Sequence, residues 1–238
     1  MRRGRRWLAR FAPAPALDHP DIVFSDRRQA GRRLAGALTG LKAESPIVLA
    51  LPRGGVPVAF EVAQALAAPL DVALVRKIGA PGHAELGLGA VVDGTPPQVV
   101  LNDEIVRLVA PSPAYLEQEK ARQIAEIERR RKLYLGDRAP VAPQGRVVIV
   151  VDDGIATGGT VKAVLRALAQ ATPARRVLAV PLAPAESLAA LSAEAEEVVC
   201  LASPEPFLAV GAHYDDFRQT SDEEVVELLR AATEPGRG

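Results

Sequence analysis

VVIVVDDGIATGGT, residues 147 to 160, decides how this chain is read. Five apolar β-branched residues in a row, closed by turn residues, make a short strand with both faces covered, as in a parallel sheet between layers of helices. The strand brings two carboxylates, Asp152 and Asp153, to its tip. A loop of small residues then leads straight into a helical pattern, TVKAVLRALAQA (160–171). In open α/β sheets, ligands bind beyond the carboxyl ends of the strands, which is where these acids stand.

The same alternation extends in both directions. SDRRQAGRRLAGALTGLK (25–42) reads as a helix that Ser25 can cap, with Ala30, Leu34, Ala37, Leu38 and Leu41 at helical spacing. PIVLALPRGG (46–55) is a buried strand running into a loop, and VPVAFEVAQALAA (56–68) returns to helical period. DVALVRKIG (71–79), ELGLGAVVDG (85–94) and PQVVLN (97–102) are the next strand candidates. Towards the end, RRVLAVPLA (175–183) and EVVCLAS (197–203) read as strands, with helices over 185–193 and 221–232. Strands alternating with helices predict a doubly wound α/β domain with parallel pairing.

The segment SPAYLEQEKARQIAEIERRRKLYLG (112–136) reads as a long charged helix. Ser112 and Pro113 suit its N-cap and first turn. Leu116, Ile124, Ile127 and Leu135 form a narrow apolar stripe and the rest a solvated face; a dimer contact is the alternative use of such a surface. The chain thus divides into an Arg/Pro-rich leader (1–20) and one α/β domain (21–238) with a charged helical insertion at about 103–136.

Composition narrows the classes. The 238 residues are 48% hydrophobic and 24% charged, enough to bury a core. Lys plus Arg and Asp plus Glu both number 29, so no overall field draws nucleic acid. Cys200 is the only cysteine, which excludes an internal disulfide and a thiolate metal cage and suits a reducing, cytoplasmic location. No apolar run is long enough to span a membrane. The leader has the positive start of a signal peptide without the apolar stretch that should follow. It reads as a flexible tail, with Arg2, Arg3, Arg5 and Arg6 around Trp7 as a minor nucleic-acid or phosphate contact.

The loop after Asp153 has its own chemistry. Small residues let backbone amides approach an anion, and a helix N-terminus adds roughly half a positive charge. Thr157 and Thr160 can donate hydroxyls. A phosphate held here, with carboxylates nearby to accept from hydroxyls, describes a ribose 5-phosphate. Two rival loops fail: a Walker A loop needs lysine where Thr160 stands, and a dinucleotide fingerprint needs its acid about 20 residues later.

Val148 to Thr160 resembles the phosphoribosyl pyrophosphate (PRPP) motif of type I phosphoribosyltransferases: an apolar strand, two acids, two small or apolar residues, then Ala-Thr-Gly-Gly-Thr. The resemblance extends more loosely over residues 21–230. It implies a doubly wound, mainly parallel sheet flanked by helices, with a small hood region. It also implies that Asp152 and Asp153 bind the ribose hydroxyls and Mg²⁺. The motif from Asp152 through Gly154, Ile155, Ala156, Thr157, Gly158, Gly159 and Thr160 would hold PRPP, with Ala156 to Thr160 around the 5-phosphate.

Further loops fit the same resemblance. LPRGG (51–55) matches an arginine-glycine version of the pyrophosphate loop, with Arg53 and Gly54 as its contacts and a non-proline cis bond expected at Pro52–Arg53. Arg76 and Lys77 are similar to the basic pair of adenine phosphoribosyltransferases and would neutralise pyrophosphate beside a mobile segment, Gly79-Ala80-Pro81-Gly82. His83 reads as a loop residue, and Glu85 as a base or the start of a strand. FLAVGAHYDDFRQTSDEE (207–224) is similar to a C-terminal segment of hypoxanthine-guanine enzymes. On that likeness Arg218 touches pyrophosphate, Asp215 or Asp216 reaches the metal, and Tyr214 or Phe207 flanks the base; Tyr214 and Phe217 as core anchors are the other reading.

The implied activity is Mg²⁺-dependent transfer of phosphoribose from PRPP to a nitrogenous base, with Arg53, Arg76, Lys77 and Asp153 as the catalytic set and a homodimer as the implied assembly. Ala156 stands where the 6-oxopurine enzymes carry a third aspartate, which argues against hypoxanthine and guanine and leaves the acceptor open. The alternative is a regulator or RNA-binding module of the same fold that binds PRPP or a nucleotide. The arginine leader favours that reading, and the cations of all three loops favour the enzyme.

Overall fold

Side-chain alternation along the central strands divides the core into two layers. Val147, Ile149 and Val151 join one hydrophobic cluster, while Val148 and Val150 join the other. Val48 and Ala50 against Ile47 and Leu49 repeat the pattern, as do Val177 and Ala179 against Leu178 and Val180. A strand covered on both faces places successive side chains in opposite layers, and each fully buried Val or Ile contributes about 1.5–3 kcal/mol.

The computed structural model describes residues 10–11, 24–94 and 96–233, the side chains of 10, 11, 84 and 85 excepted. Its strands are β1 (Arg10–Phe11), β2 (Ile47–Ala50), β3 (Leu70–Val72), β4 (Val75–Ala80), β5 (His83–Val92), β6 (Gln98–Leu101), β7 (Val147–Val151), β8 (Arg175–Leu182) and β9 (Glu197–Ala202). Its helices are α1 (Arg27–Leu38), α2 (Gly55–Leu66), α3 (Asp103–Val109), α4 (Pro113–Leu135), α5 (Gly159–Gln170), α6 (Ala185–Leu191) and α7 (Asp222–Ala231).

Six strands form one parallel sheet in the order β1-β9-β8-β7-β2-β3. Leu34, Val58, Ile127 and Val225 from α1, α2, α4 and α7 cover one face. Val164, Leu165, Leu188 and Leu191 from α5 and α6 cover the other. From β7 the chain moves outward through β8 and β9, and from β2 outward through β3. The β2–β7 pair is therefore the point where the winding reverses, the usual ligand crevice of such sheets.

Several sequence expectations change. The run 71–79 is two strands: Ala73 and Leu74 separate β3, in the parallel sheet, from β4, which pairs antiparallel with β5 and then β6 in a second sheet. Parallel pairing therefore fails for these three strands, because short turns and not helices connect them. Helix α1 is capped by Asp26 and not Ser25: the Asp26 carboxylate accepts from the Gln29 amide at 2.6 Å. Helix α3, capped by the Asn102 side chain, lies in a stretch read only as part of a charged insertion. Within the leader, Arg10 and Phe11 pair with Val199 and Cys200 at the open edge of β9, where unpaired amides accept another strand. The rest of residues 1–20, with Arg2, Arg3, Arg5, Arg6 and Trp7, lies outside the described residues, as does the side chain of Glu85.

Among the described residues no helix is long and apolar enough to cross a membrane.

Candidate active site

Both loops that end the reversal pair meet. The loop after β2 turns directly into α2, with Leu51 accepting from the Gly55 amide at 3.0 Å. The Pro52–Arg53 peptide bond is cis, as the resemblance led us to expect. Gly54 lies so close to Asp153 that a Cβ there would overlap the carboxylate, so glycine is what leaves the carboxylate in this position. The loop after β7 turns into α5 through Gly158, whose φ of 76° is the left-handed conformation that glycine adopts without strain. The N-termini of α2 and α5 therefore both open on the β2–β7 crevice, and their dipoles favour an anion there.

Behind the crevice is a cavity of about 210 Å³ lined by Leu51, Pro52, Ala73, Leu74, Val75, Arg76, Arg130, Asp152 and Thr160. This cavity unites members of three predicted loops: Pro52 from the first, Arg76 from the second, and Asp152 and Thr160 from the third. Thr157, Gly159 and Thr160 line the start of α5, and the turn from Ala156 to Thr160 is largely open to solvent. Ile155 is buried, its amide bonded to Leu182 O, and Ser187 Oγ donates to Ala156 O at 2.6 Å, which anchors the turn from below. Gly154 packs against Val210.

The two acids have different surroundings. Asp152 accepts from the Asp153 amide at 2.9 Å. Burial, then the neighbouring Asp153 charge, push its carboxyl well above the ordinary range, with Arg27 acting against both. Asp153 pairs with Arg27, Nε to Oδ2 2.7 Å, and both side chains are largely buried. The Arg27 guanidinium also lies 3.8 Å from the centroid of Phe217 and donates to Arg218 O at 2.7 Å. Arg27 thus ties the start of α1, the acid loop and the 207–220 segment together. Sequence reasoning missed it, because an arginine in the first turn of a helix full of arginines carries no distinguishing pattern.

The remaining predicted residues separate. Lys77 is exposed and follows Arg76 in β4, so strand alternation turns the pair to opposite faces; among the described residues, only Arg76 of the two lines the Asp152 cavity. Arg53 reaches Asp222 at the start of α7, Nη1 to Oδ1 3.7 Å. Asp222 also accepts from the Tyr134 hydroxyl at 2.6 Å, and burial together with that bond pushes the phenol up to about 12. Arg218 is 88% exposed and pairs locally with Asp216, Nη2 to Oδ2 2.7 Å, away from the cavity. Asp215 is exposed, its amide donating to Phe24 O.

Tyr214 is buried between Phe24 and Phe217, ring centroids 5.4 and 5.0 Å away, and its hydroxyl donates to Asp153 O. Burial raises its phenol further still. This geometry is that of an anchor for the acid loop. Phe207 is half-buried against His213, at 5.3 Å.

The arrangement can hold an elongated polyanion. Amides and hydroxyls at the α5 turn suit a terminal phosphate, carboxylates at the tip of β7 suit hydroxyls, and the α2 turn with Arg76 and Arg130 suits a second anionic group.

A family model described as the phosphoribosyl transferase domain matches residues 25–216. A Mycobacterium tuberculosis protein named "Putative phosphoribosyl transferase Rv0571c" is 46% identical over 210 residues, covering 88% of this chain and 47% of that protein. The chain thus spans a little under half the length of that relative. The crystal structure of TT1426 from Thermus thermophilus is similar with a TM-score of 0.77 and 47% identity, over 89% of this chain and 99% of that one.

Proposed function

The chain belongs to the phosphoribosyl transferase family, and on that premise we propose that it moves the phosphoribosyl group of PRPP to a nitrogenous base or similar acceptor, releasing pyrophosphate. One observation carries this reading: Pro52 after β2, Arg76 in β4, and Asp152 and Thr160 between β7 and α5, three separate parts of the chain, line one cavity at the point where the sheet reverses.

In this reading the acceptor nitrogen attacks C1 of the ribose, and the bond from C1 to the pyrophosphate oxygen breaks. Positive charge builds on the ribose and negative charge on the leaving group. Asp152 and Asp153 accept from the ribose hydroxyls and fix the sugar for in-line displacement. The amides from Ala156 to Thr160 hold the 5-phosphate. The Arg53–Gly54 turn and Arg76 stabilise the pyrophosphate as its charge grows. Lys77 and Arg218 receive no direct contact in this scheme. Tyr214 supports Asp153 from behind, which leaves Phe207 as the aromatic for the base.

Among the described residues no group of three or more His, Cys, Asp or Glu is placed to form an all-protein metal cage. Two carboxylates, Asp152 and Asp153, suit Mg²⁺ shared with substrate oxygens, which is how this ion is commonly held. When bound, the ion would offset charge on the pyrophosphate.

The test is pyrophosphate release from PRPP and Mg²⁺ across adenine, guanine, hypoxanthine, xanthine, uracil and orotate. Release with one base names the acceptor. PRPP bound without release from any of them would favour the regulator reading, and failure to bind PRPP at all would end the transfer reading and leave only a regulator that binds a nucleotide.

A further inference from the structure

Helix α4 reads in the sequence as a solvated surface helix, yet two of its polar residues are buried: Gln123 at 4% and Glu119 at 8% exposure. They form a chain of hydrogen bonds that ends on Arg76, which stands between the Asp152 cavity and a second one, of about 240 Å³, that Glu119 and Gln123 themselves line. Glu119 Oε1 accepts from Gln123 Nε2 at 2.7 Å and from Arg122 at 2.7 Å. Gln123 Oε1 in turn accepts from Arg76 Nε at 3.1 Å. Arg76 is the cation that lines the cavity with Asp152. A buried amide and carboxylate cost free energy unless fully bonded, so helix and strand must hold this register for the chain to be satisfied.

Two turns further on, Arg130 lines the same cavity. Its Nε donates to Glu126 at 2.7 Å, and no second acceptor holds its guanidinium among the described residues. Arg76 and Arg130 thus share one cavity with Pro52 and with the N-terminus of α5 at Thr160.

Resting on the phosphoribosyl transfer reading, we propose that α4 is the diphosphate wall of the site: Arg130 contacts the pyrophosphate end of PRPP, and Gln123, held by Glu119, is a positioning residue that aims Arg76 at the same group. The wall lies beside Pro52, on the side of Asp152 towards β3 and β4. In this proposal the wall takes the diphosphate, and the exposed turn from Ala156 to Thr160 takes the 5-phosphate at the Thr160 edge of the same cavity.

The test is equilibrium binding of three probes to the full chain with Mg²⁺: PRPP, inorganic pyrophosphate and ribose 5-phosphate. Arg130→Gln weakens the first two about tenfold or more, the size of one lost charge-assisted contact, and leaves ribose 5-phosphate within about twofold. Arg130→Lys recovers part of the loss. Gln123→Met weakens pyrophosphate in wild type but has no further effect in an Arg76→Gln background, as a residue acting through Arg76 requires. Unchanged pyrophosphate affinity in Arg130→Gln, or equal losses for all three probes, overturns the diphosphate wall. An additive effect of Gln123→Met overturns the positioning role. Wild-type protein that holds ribose 5-phosphate but neither PRPP nor pyrophosphate removes the transfer reading itself, and the wall with it.

Discussion

At the scale of single residues, the site depends on a contact that has no side chain on one of its two partners. Gly54 has a helical backbone, φ −61° and ψ −32°, so alanine suits its conformation. What alanine cannot do is share space with the Asp153 carboxylate. The carboxylate is the end of a movable side chain, so the predicted response of Gly54→Ala is local: Asp153 swings off Arg27 and the fold survives. PRPP affinity should fall by about tenfold or more, because a displacement of about 1 Å at a binding group is costly, while circular dichroism stays that of wild type. Unchanged affinity would mean that the carboxylate's observed position is not the one that binds. The same scale explains what the sequence concealed. Asp152 and Asp153 announce themselves by ending an apolar strand, but Arg27 is one of four arginines in seven residues, Arg27 to Arg33, and only the folded chain shows which one reaches Asp153.

At the scale of elements, α4 shows where local pattern misleads. Charged residues at most positions read as a solvated face. The structure keeps Ile127 in the core, as the stripe predicts, but also buries Tyr134, Gln123 and Glu119. Helical periodicity reports apolar faces and is silent on a polar face turned to another polar surface. Glu126 stands between the two environments: exposed Arg129 and half-buried Arg130 both bond to it and hold its carboxyl down at about 2. A depressed carboxyl adds stability above its ordinary value of 4.5, and that stability is lost as pH falls towards 2. Glu126→Gln should therefore lower the stability at pH 7 by less than about 1 kcal/mol, because these groups are partly exposed to solvent, and the difference, read as a Tm gap, should shrink below about pH 4.5. A gap that widened in acid would contradict the pairing. The division of 71–79 into β3 and β4 has a similar origin: Ala73 and Leu74 are apolar, so nothing in composition marks the point where the chain changes sheets.

At the scale of the whole molecule, the layered sheet was legible because strand length, apolar continuity and intervening helices agree. The site was legible as far as loops that end strands of the parallel sheet. Arg76 was assigned from resemblance, and Asp222 and Arg130 escaped because their partners lie far along the chain, Arg53 for one and the cavity beyond β2 for the other. The architecture brings two helix N-termini and two adjacent carboxylates together where β2 and β7 part. The most direct measurement is calorimetric binding of PRPP with Mg²⁺ to wild type and to Asp153→Asn. The variant should fold and bind PRPP at least about tenfold more weakly, since a charged acceptor for the ribose hydroxyls has gone. Wild-type affinity in Asp153→Asn would contradict that role.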